Sequence, residues 1–264
     1  FQEVRSSEFA VRSQRMSIKS RYGVDKISSV KLKGLETGVS LVEAIRTNET
    51  AEVRCIGSNI ETRSDYIDAA EVRQLRKLGV TKVEMGVQTT DDRVQELTRR
   101  GHDLQSVKDA TKLLKDAGFK IGYHMMPNLP GSTPEMDKRM IREIFEDADY
   151  QPDYLKIYPC VVIPKTSLAV QYRRGDFKPY DDETLKEILL ENLKSVPEWC
   201  RIDRVARDIP ADEIEAGTKI SNIRQILEEQ LIRKGTPCRD IRSREIGGLE
   251  FEAKNVKLKT REYG

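Results

Sequence analysis

The sequence predicts an α/β fold built on a parallel β-sheet. Strand-like and helix-like segments alternate roughly five times, at spacings of about 35 residues, which is the pattern of repeated βα units. Several helical segments end at a glycine, as at Gly79, Gly118 and Gly235, and glycine favours the left-handed conformation that closes many helices. Because βα crossovers are right-handed, such a sheet either doubles back or curls toward a barrel.

The predicted elements follow in order along the chain. Residues 1–21 are basic and weakly helical, and residues 22–34 have an awkward pattern that we interpret as a join across missing residues near 27–33. Asp181 opens one helix with good N-cap chemistry, and Pro127 ends one strand. Helices are predicted at Leu41–Glu49, Ala69–Leu78, Asp92–Thr98, Gln105–Ala117, Met136–Ala148, Asp182–Val196 and Ile220–Lys234. Strands are predicted at Val53–Ile60, Lys82–Val87, Phe119–Met126, Tyr154–Tyr158 and Arg201–Val205.

Composition excludes several classes of protein. The 264 residues are enough to bury a core without disulfides, and a net charge of +2 is too even to indicate a nucleic-acid partner by itself. The sequence has no apolar run of about 18 residues, so no membrane span is expected. Its first five residues lack the apolar core of a signal peptide. The chain begins without Met and in the middle of a pattern, which indicates a fragment or a set of ordered pieces joined in sequence.

The cysteines and histidines give no metal motif of their own. The four cysteines are too scattered for a CxxC framework, so free thiols in the cytoplasm are expected. His102 and His124 lie too far apart to form a two-histidine helical metal site. A dinucleotide-binding GxGxxG motif and a P-loop are both absent from the sequence.

Charged and hydrogen-bonding side chains lie in the segments in which the predicted strands end. Chemistry in parallel sheets sits at the carboxyl ends of the strands, so these residues are expected to share one rim and form a functional site. Taken singly, each has an ordinary structural explanation, such as an ion pair, a satisfied core histidine or a lysine that reaches solvent. The residues are Glu61, Arg63, Glu84, Gln88, His124, Lys156, Tyr158, Arg204 and Arg207.

Several of these segments resemble radical S-adenosylmethionine (SAM) enzymes. The segments at residues 60–63, 84–88 and 100–102 (IETR, EMGVQ and RGH) carry this resemblance. Further segments at 124–130, 155–159, 207–210 and 238–245 (HMMPNLP, LKIYP, RDIP and CRDIRSRE) are similar to the catalytic subunit of the Elongator complex, in its archaeal or bacterial form. The resemblance covers about residues 24–250 in register.

The resemblance implies a partial (β/α) barrel of the radical SAM type, with parallel strands and outer helices. Residues 1–235 would form this domain, and residues 236–264 would lead to an absent acetyltransferase-like domain. The implied activity adds an acetyl-derived carboxymethyl group to carbon-5 of the wobble uridine of tRNA. A [4Fe-4S] cluster and SAM would be cofactors, acetyl-CoA would be a substrate, and tRNA and the acetyltransferase-like domain would be partners. A homodimer, a cytoplasmic location and no membrane association are also expected.

The resemblance also implies residue roles. Glu61, Arg63, Glu84 and Gln88 would bind SAM, and Lys26 would meet acetyl-CoA. His124, Lys156 and Tyr158 would be catalytic residues that line the cavity between SAM and the uridine. Arg204, Arg207, Arg239, Arg242 and Arg244 would contact RNA or the second domain. The basic residues Arg5, Arg12, Arg15, Lys19 and Arg21 would add RNA-binding charge. Cys238 would be either a free buried thiol or a zinc ligand.

Two family features are absent from this sequence. The three clustered cysteines that ligate the cluster and the Gly-Gly-Thr segment that touches SAM do not occur, so the chain alone is expected to be inactive. Two alternatives therefore stand beside the main hypothesis. One is a different radical SAM enzyme, such as a porphyrin or methylthiolation relative, and the other is a non-catalytic RNA-binding or assembly scaffold.

Overall fold

The computed structural model describes residues 40–245. Lys26, the basic stretch 1–21, the predicted join and residues 246–264 lie outside the described residues. The chain divides into two compact units, residues 1–54 and 55–264. The described part of the first unit contains helix α1 (Leu41–Thr50), which begins with a capping box between Ser40 and Glu43 and buries none of its side chains. No helix among the described residues is long and apolar enough to cross a membrane.

The second unit alternates strands and helices. Its strands are β1 (Asn59–Thr62), β2 (Lys82–Gln88), β3 (Lys120–Met125), β4 (Tyr154–Ile157) and β5 (Arg201–Val205). Its helices are α2 (Ala69–Lys77), α3 (Asp92–Leu97), α4 (Leu104–Asp116), α5 (Pro134–Glu146), α6 (Ser167–Arg174), α7 (Asp182–Ser195) and α8 (Ile223–Arg233). Short 3₁₀ turns occur at Ser64–Tyr66, Ala211–Glu213 and Arg242–Arg244.

The five strands form one parallel sheet in the order β1-β2-β3-β4-β5. Because the strand order never reverses, the sheet curls rather than doubling back. Side chains from strands that are not neighbours meet across the concave face: Lys156 on β4 reaches Glu61 on β1 at 2.9 Å, and Lys82 on β2 reaches Asp203 on β5 at 3.2 Å. Three strand spacings in a flat sheet would separate such residues by about 14 Å. The predicted partial (β/α) barrel is confirmed.

The two faces of the sheet have opposite chemistry. On the helix side, Met85, Ile121, Tyr123 and Leu155 are fully buried and pack in the main core. Burial of each such side chain stabilises the fold by roughly 1.5–3 kcal/mol. The side chains that alternate with them, such as Glu84, point into the concave lumen. The core therefore lies between sheet and helices, and the lumen is left for polar groups.

Most predicted elements match the structure within a few residues, with two exceptions. The first strand was predicted at Val53–Ile60, but β1 spans Asn59–Thr62, and Val53 and Ile56 are exposed. Helix α6 was not predicted. The glycine caps at Gly79 and Gly118 do have positive φ angles, 72° and 75°, and Asp181 accepts a hydrogen bond from the Thr184 backbone N–H, as expected of an N-cap.

Candidate active site

The carboxyl ends of the first three strands surround an open cleft of about 370 Å³. Its lining includes four of the residues predicted from the sequence: Glu61, Arg63, Glu84 and His124. Thr62, Tyr66 and Gly86 complete the lining. The structure thus brings these four predicted residues to one mouth, whereas Gln88, the last residue of β2, does not line the cleft.

Glu84 is the centre of the charged cluster at the bottom of this cleft. Its side chain is 2% exposed, and both of its oxygens are occupied by protein donors. Oε1 accepts a hydrogen bond from Asn59 Nδ2 at 2.7 Å and contacts Lys82 Nζ at 2.9 Å. Oε2 lies 2.7 Å from His124 Nε2 and contacts Lys156 Nζ. A buried carboxylate with this set of partners is satisfied as an anion and has little capacity left for a further ligand.

Electrostatics explain why Glu84 stays ionised. Burial would raise the pKa of Glu84, but the hydrogen bonds from His124, Lys156 and Lys82 outweigh burial and lower it far below the usual range. Burial would likewise lower the pKa of Lys156, yet its bonds to Glu84 and Glu61 raise it. The cluster is therefore charged at neutral pH.

Lys156 occupies the place that a metal ion would need. Ligand atoms of Glu61, Glu84 and His124 lie within 4.8 Å of one another, close enough to hold a cation. The ammonium group of Lys156 already contacts both carboxylates, however. The Lys156 ammonium therefore already balances the negative charge of Glu61 and Glu84.

Room for Glu84 comes from a glycine on the neighbouring strand. Gly122 is paired with Glu84 in the sheet register, and a Cβ at this position would lie 2.8 Å from Glu84 Cγ. Such a contact is shorter than carbon atoms tolerate, so an alanine here would displace the carboxylate or the strand. The absence of a side chain at Gly122 therefore fixes where Glu84 lies.

A second aromatic and basic group borders the cluster beyond β4 and β5. Tyr158 is buried, its ring lies edge-on to His124 at 5.7 Å between centroids, and burial raises its pKa. The Arg207 guanidinium lies over the Tyr158 ring at 4.9 Å, and Arg204 pairs with Asp208 at 2.8 Å. Tyr158 and Arg207 thus extend the site from the strands into the loop after β5.

Two buried polar atoms, one on the last residue of β2 and one on an arginine that reaches back to this strand, find no partner among the residues the structure describes. These are Gln88 Oε1 and Arg100 Nε. Gln88 has a positive φ of 73°, and Arg100 donates from NH2 to the Gly86 carbonyl at 3.1 Å. A Cβ at Gly86 would lie 2.6 Å from Gln88 Nε2 and 2.8 Å from the Arg100 guanidinium. The absence of a side chain at Gly86 makes room for Gln88 and Arg100, whose unpartnered acceptor and donor atoms are candidate ligand contacts.

Arg100 and His102 belong to the RGH segment that carries part of the family resemblance, but the sequence predicted no role for either residue. Both ring nitrogens of His102 and Oε1 of Gln95 are also buried without a hydrogen-bond partner in the described part of the chain. Burial, and then the charge of Arg100, lower the pKa of His102. His102 is therefore neutral near pH 7.

The other arginines predicted as site residues occupy two different places, the cleft and the C-terminal segment. Arg63 pairs with Asp65 through two hydrogen bonds, and its guanidinium lies over the Tyr66 ring at 5.2 Å, so it lines the cleft as one side of an ion pair. Arg242 donates to the Asp203 carbonyl, and Arg244 donates to the carbonyls of Arg239 and Glu198. Arg242 thus ties the C-terminal segment to β5, and Arg244 ties it to the loop before β5. Their predicted role toward RNA or a second domain remains a prediction.

The four cysteines do not form a cluster site. Cys55 is exposed, and Cys160, Cys200 and Cys238 are separately buried. Burial raises the thiol pKa of Cys160 and Cys238 to about 11 and that of Cys200 further still, so none is a ready thiolate ligand. An iron–sulfur cluster does not fit the cysteines of this chain.

Zinc at Cys238 gains no support from its surroundings. Its sulfur lies near the carboxylates of Glu228 and Asp240, with all ligand atoms within 4.8 Å. Arg224 already binds both of these carboxylates, at 2.7 Å to Glu228 and 3.4 Å to Asp240. The arginine supplies the positive charge that the cluster needs.

Comparison with known proteins assigns the class. The Radical SAM superfamily matches residues 36–144, and the Radical_SAM C-terminal domain matches residues 152–233. Together with the curled parallel sheet, these matches show that the chain belongs to the radical SAM superfamily.

Individual relatives narrow the comparison. The chain is 45% identical over 230 residues to a tRNA uridine(34) acetyltransferase of Methanocaldococcus jannaschii, covering 85% of this chain and 42% of that protein. It is 37% identical to Elongator complex protein 3 of Homo sapiens, covering 86% of this chain and 42% of that protein. It also matches a structure of the archaeal Methanocaldococcus infernus Elp3 with an N-terminal deletion, at a TM-score of 0.78 and 44% identity, over 85% of this chain and 54% of that one. The resemblance to the Elongator catalytic subunit is confirmed, and the chain spans less than half the length of these two curated relatives.

Membership of the superfamily implies SAM and a [4Fe-4S] cluster as cofactors. The residues described here fit SAM better than the cluster. The unpartnered Gln88 oxygen and Arg100 nitrogen, on side chains that pack beside Gly86, match a ligand that offers both hydrogen-bond donors and a carboxylate. The cysteines, as shown above, do not match the cluster.

Proposed function

We propose that this chain is the radical SAM module of an enzyme that adds an acetyl-derived carboxymethyl group to carbon-5 of the wobble uridine of tRNA, with acetyl-CoA as the source of the acetyl group. The observation that carries the proposal is that relatives named tRNA uridine(34) acetyltransferase align over 85% of the chain at 44–45% identity. The polar cleft at the carboxyl ends of the strands supports it, since this is where chemistry occurs in such sheets.

SAM would bind at the end of β2. In this position the Arg100 guanidinium suits the carboxylate of SAM, and Gln88 Oε1 suits a donor such as its amino group or a ribose hydroxyl. Glu61 is the exposed carboxylate of the site and would accept from the ribose hydroxyls, while Arg63 lies at the edge of the same cleft. SAM supplies the hydrogen-abstracting radical of the proposed reaction, and this chain contributes its binding and orientation.

The structure changes the role that we propose for Glu84. The sequence predicted it as a SAM ligand, but all its contacts in the described structure are with protein donors. We propose instead that Glu84 holds His124 and Lys156 in place. His124, fixed through Nε2, is able to exchange a proton at Nδ1, and the Lys156 ammonium stabilises negative charge that develops on a bound substrate.

RNA would approach from the side of β5. Arg204 lies on this strand and Arg207 in the loop after it, and the Arg207 guanidinium lies over the ring of Tyr158, so positive charge and an aromatic side chain are adjacent here. Phosphate neutralisation by arginine and stacking on an aromatic ring are the two main sources of affinity for single-stranded RNA. A tRNA substrate would place the protein in the cytoplasm.

The proposal is tested with the full-length gene product. The iron-loaded protein, mixed with reductant, SAM, acetyl-CoA and tRNA, is expected to release 5′-deoxyadenosine and to produce tRNA modified at carbon-5 of the wobble uridine, measured by mass spectrometry of nucleosides. Modification that needs no acetyl-CoA would indicate a different radical SAM enzyme. An iron-loaded protein that binds tRNA but releases no deoxyadenosine would refute the proposal and support the scaffold alternative.

A further inference from the structure

We infer that Lys82 and Asp203 are positioning residues of the site, which set the charge balance on Glu84 and through it the state of Lys156. Neither residue was predicted from the sequence as functional. The inference rests on the proposed function for the meaning of the site, but its test needs neither SAM nor RNA.

The geometry is a chain of alternating charges that crosses the barrel lumen. Asp203 on β5 contacts Lys82 on β2 at 3.2 Å, and Lys82 contacts Glu84 at 2.9 Å. Glu84 contacts Lys156 on β4, and Lys156 contacts Glu61 on β1 at 2.9 Å. Four of the five strands therefore contribute to one electrostatic series, and its last member is exposed in the cleft.

The Lys82 side chain is largely buried and held by its neighbours, unlike a lysine at the surface. Its side chain is 19% exposed, and its ammonium lies 4.1 Å from the centroid of the Tyr154 ring. Burial would lower the pKa of Lys82, but its bonds to Glu84 and Asp203 raise it, so it remains a cation. A fixed cation on one oxygen of Glu84 weakens the hold of that carboxylate on the groups at its other oxygen.

Two other charged groups face the same cluster. Arg201 contacts the second oxygen of Asp203 at 3.1 Å and also pairs with Glu245. His124 lies 3.8 Å from Glu61 in addition to its bond with Glu84. None of these contacts lies between Lys82 and Glu84, so a change at Lys82 acts first on the Glu84 carboxylate.

Loss of the Lys82 cation and loss of the Asp203 anion are expected to shift the protonation of Lys156 in opposite directions. Without the Lys82 cation, less of the negative charge of Glu84 is balanced at its other oxygen, and the Lys156 ammonium is held more strongly in its protonated form. Without the Asp203 anion, Lys82 is committed wholly to Glu84, and Lys156 is released more easily. A variant that merely loosened the structure would expose Lys156 and would not reverse sign between the two cases.

The experiment measures how fast the Lys156 amine is acetylated by trace acetic anhydride at pH 8, read by mass spectrometry of the digested chain. Only the neutral amine reacts, so one unit in pKa changes the rate about tenfold. Lys82→Met is expected to slow labelling of Lys156 by about three- to tenfold, and Asp203→Asn to speed it by about threefold. Lys82→Arg keeps the cation and is expected to match the wild type.

The matched control is Lys120→Met. Lys120 is paired with Lys82 in the register of β2 and β3, but it is exposed and binds Asp153 outside the cluster. Labelling of Lys156 in this variant is expected to equal the wild-type rate. Faster labelling in both Lys82→Met and Asp203→Asn, or no difference between them and the control, would overturn the inference. If Lys82→Met does not fold, the Asp203→Asn rate decides alone, since an unchanged rate contradicts the inference.

A failure here and a failure of the proposed function are separate results. The labelling rates report on the charges of the cluster whatever the substrate is, whereas deoxyadenosine release reports on the reaction. In an active full-length protein, Lys82→Met is further expected to lower kcat while leaving the KM for SAM within twofold, because Lys82 contacts Glu84, Asp203 and the Tyr154 ring and none of the residues proposed to bind SAM.

Discussion

Asp137 provides a sharp test of how the loops beside the site are held. It lies in the first turn of α5 and is 1% exposed. Its Oδ2 accepts from the Asn128 backbone N–H at 2.6 Å and from the Tyr180 hydroxyl at 3.1 Å. Asn128 in turn donates from Nδ2 to the Cys160 carbonyl at 3.0 Å. This network ties together the loops that follow β3 and β4, the strands that carry His124 and Lys156.

The size of the expected pH effect on stability follows from the raised pKa of Asp137. Burial raises the pKa of Asp137 from 3.8 to about 6, more than its hydrogen bonds lower it. The folded protein therefore binds a proton in mild acid that the unfolded chain releases, and wild-type stability falls as pH rises through this interval. At about 1.36 kcal/mol per unit the whole effect is about 3 kcal/mol, of which about 1.4 kcal/mol falls between pH 5 and pH 8.

Asp137→Asn removes this charge while keeping an oxygen that accepts both hydrogen bonds. The variant is expected to gain about 1.4 kcal/mol of unfolding free energy relative to wild type when the pH is changed from 5 to 8. Urea unfolding at both pH values measures the difference, with the exposed Asp116→Asn on α4 as the control. A difference between variant and wild type that does not change with pH would refute the reasoning, because it would mean that Asp137 is not a destabilised buried anion.

Three further predictions concern the site and its frame. Gly122→Ala is expected to cost about 1–3 kcal/mol in urea unfolding because its Cβ would lie 2.8 Å from Glu84, whereas Gly57→Ala, with no atom closer than 3.5 Å, should cost less. Asp103→Ala removes the N-cap of α4, which accepts a backbone N–H at 2.8 Å, and is expected to cost about 1 kcal/mol in thermal or urea unfolding. Arg207→Gln is expected to weaken tRNA binding and to reduce the slope of log K against log salt by about 0.7–0.9, and an unchanged slope would exclude a phosphate contact there.

The helices and strands were largely predictable because local signals agree with the fold. Helix α2 ends at a glycine with positive φ, and α7 begins at Asp181, so their bounds follow from cap chemistry. The first strand was misplaced because Val53 and Ile56 have high β propensity although both are exposed. The real β1, Asn59–Thr62, is mostly polar because one face looks into a charged lumen.

The candidate site was predictable in outline and not in detail. Neighbouring parallel strands place corresponding residues side by side, so the meeting of Glu61, Glu84 and His124 could be expected from their positions on successive strands. The contact of Lys82 with Asp203 could not, because it joins residues far apart in sequence and depends on how strongly the sheet curls. The same curl turns Glu84 from an expected ligand into a fully bonded anion.

The most direct test of the account is whether SAM binds at the end of β2. Titration calorimetry of the full-length protein with SAM, in the wild type, Arg100→Met and Arg93→Met, makes the measurement, where Arg93 is an exposed arginine on the nearby helix α3. The account predicts that Arg100→Met weakens SAM binding by at least about tenfold, as expected for loss of a charged hydrogen bond, while Arg93→Met stays within about twofold of wild type. Equal SAM affinity in all three proteins would contradict the claim that SAM binds at the end of β2 through Arg100.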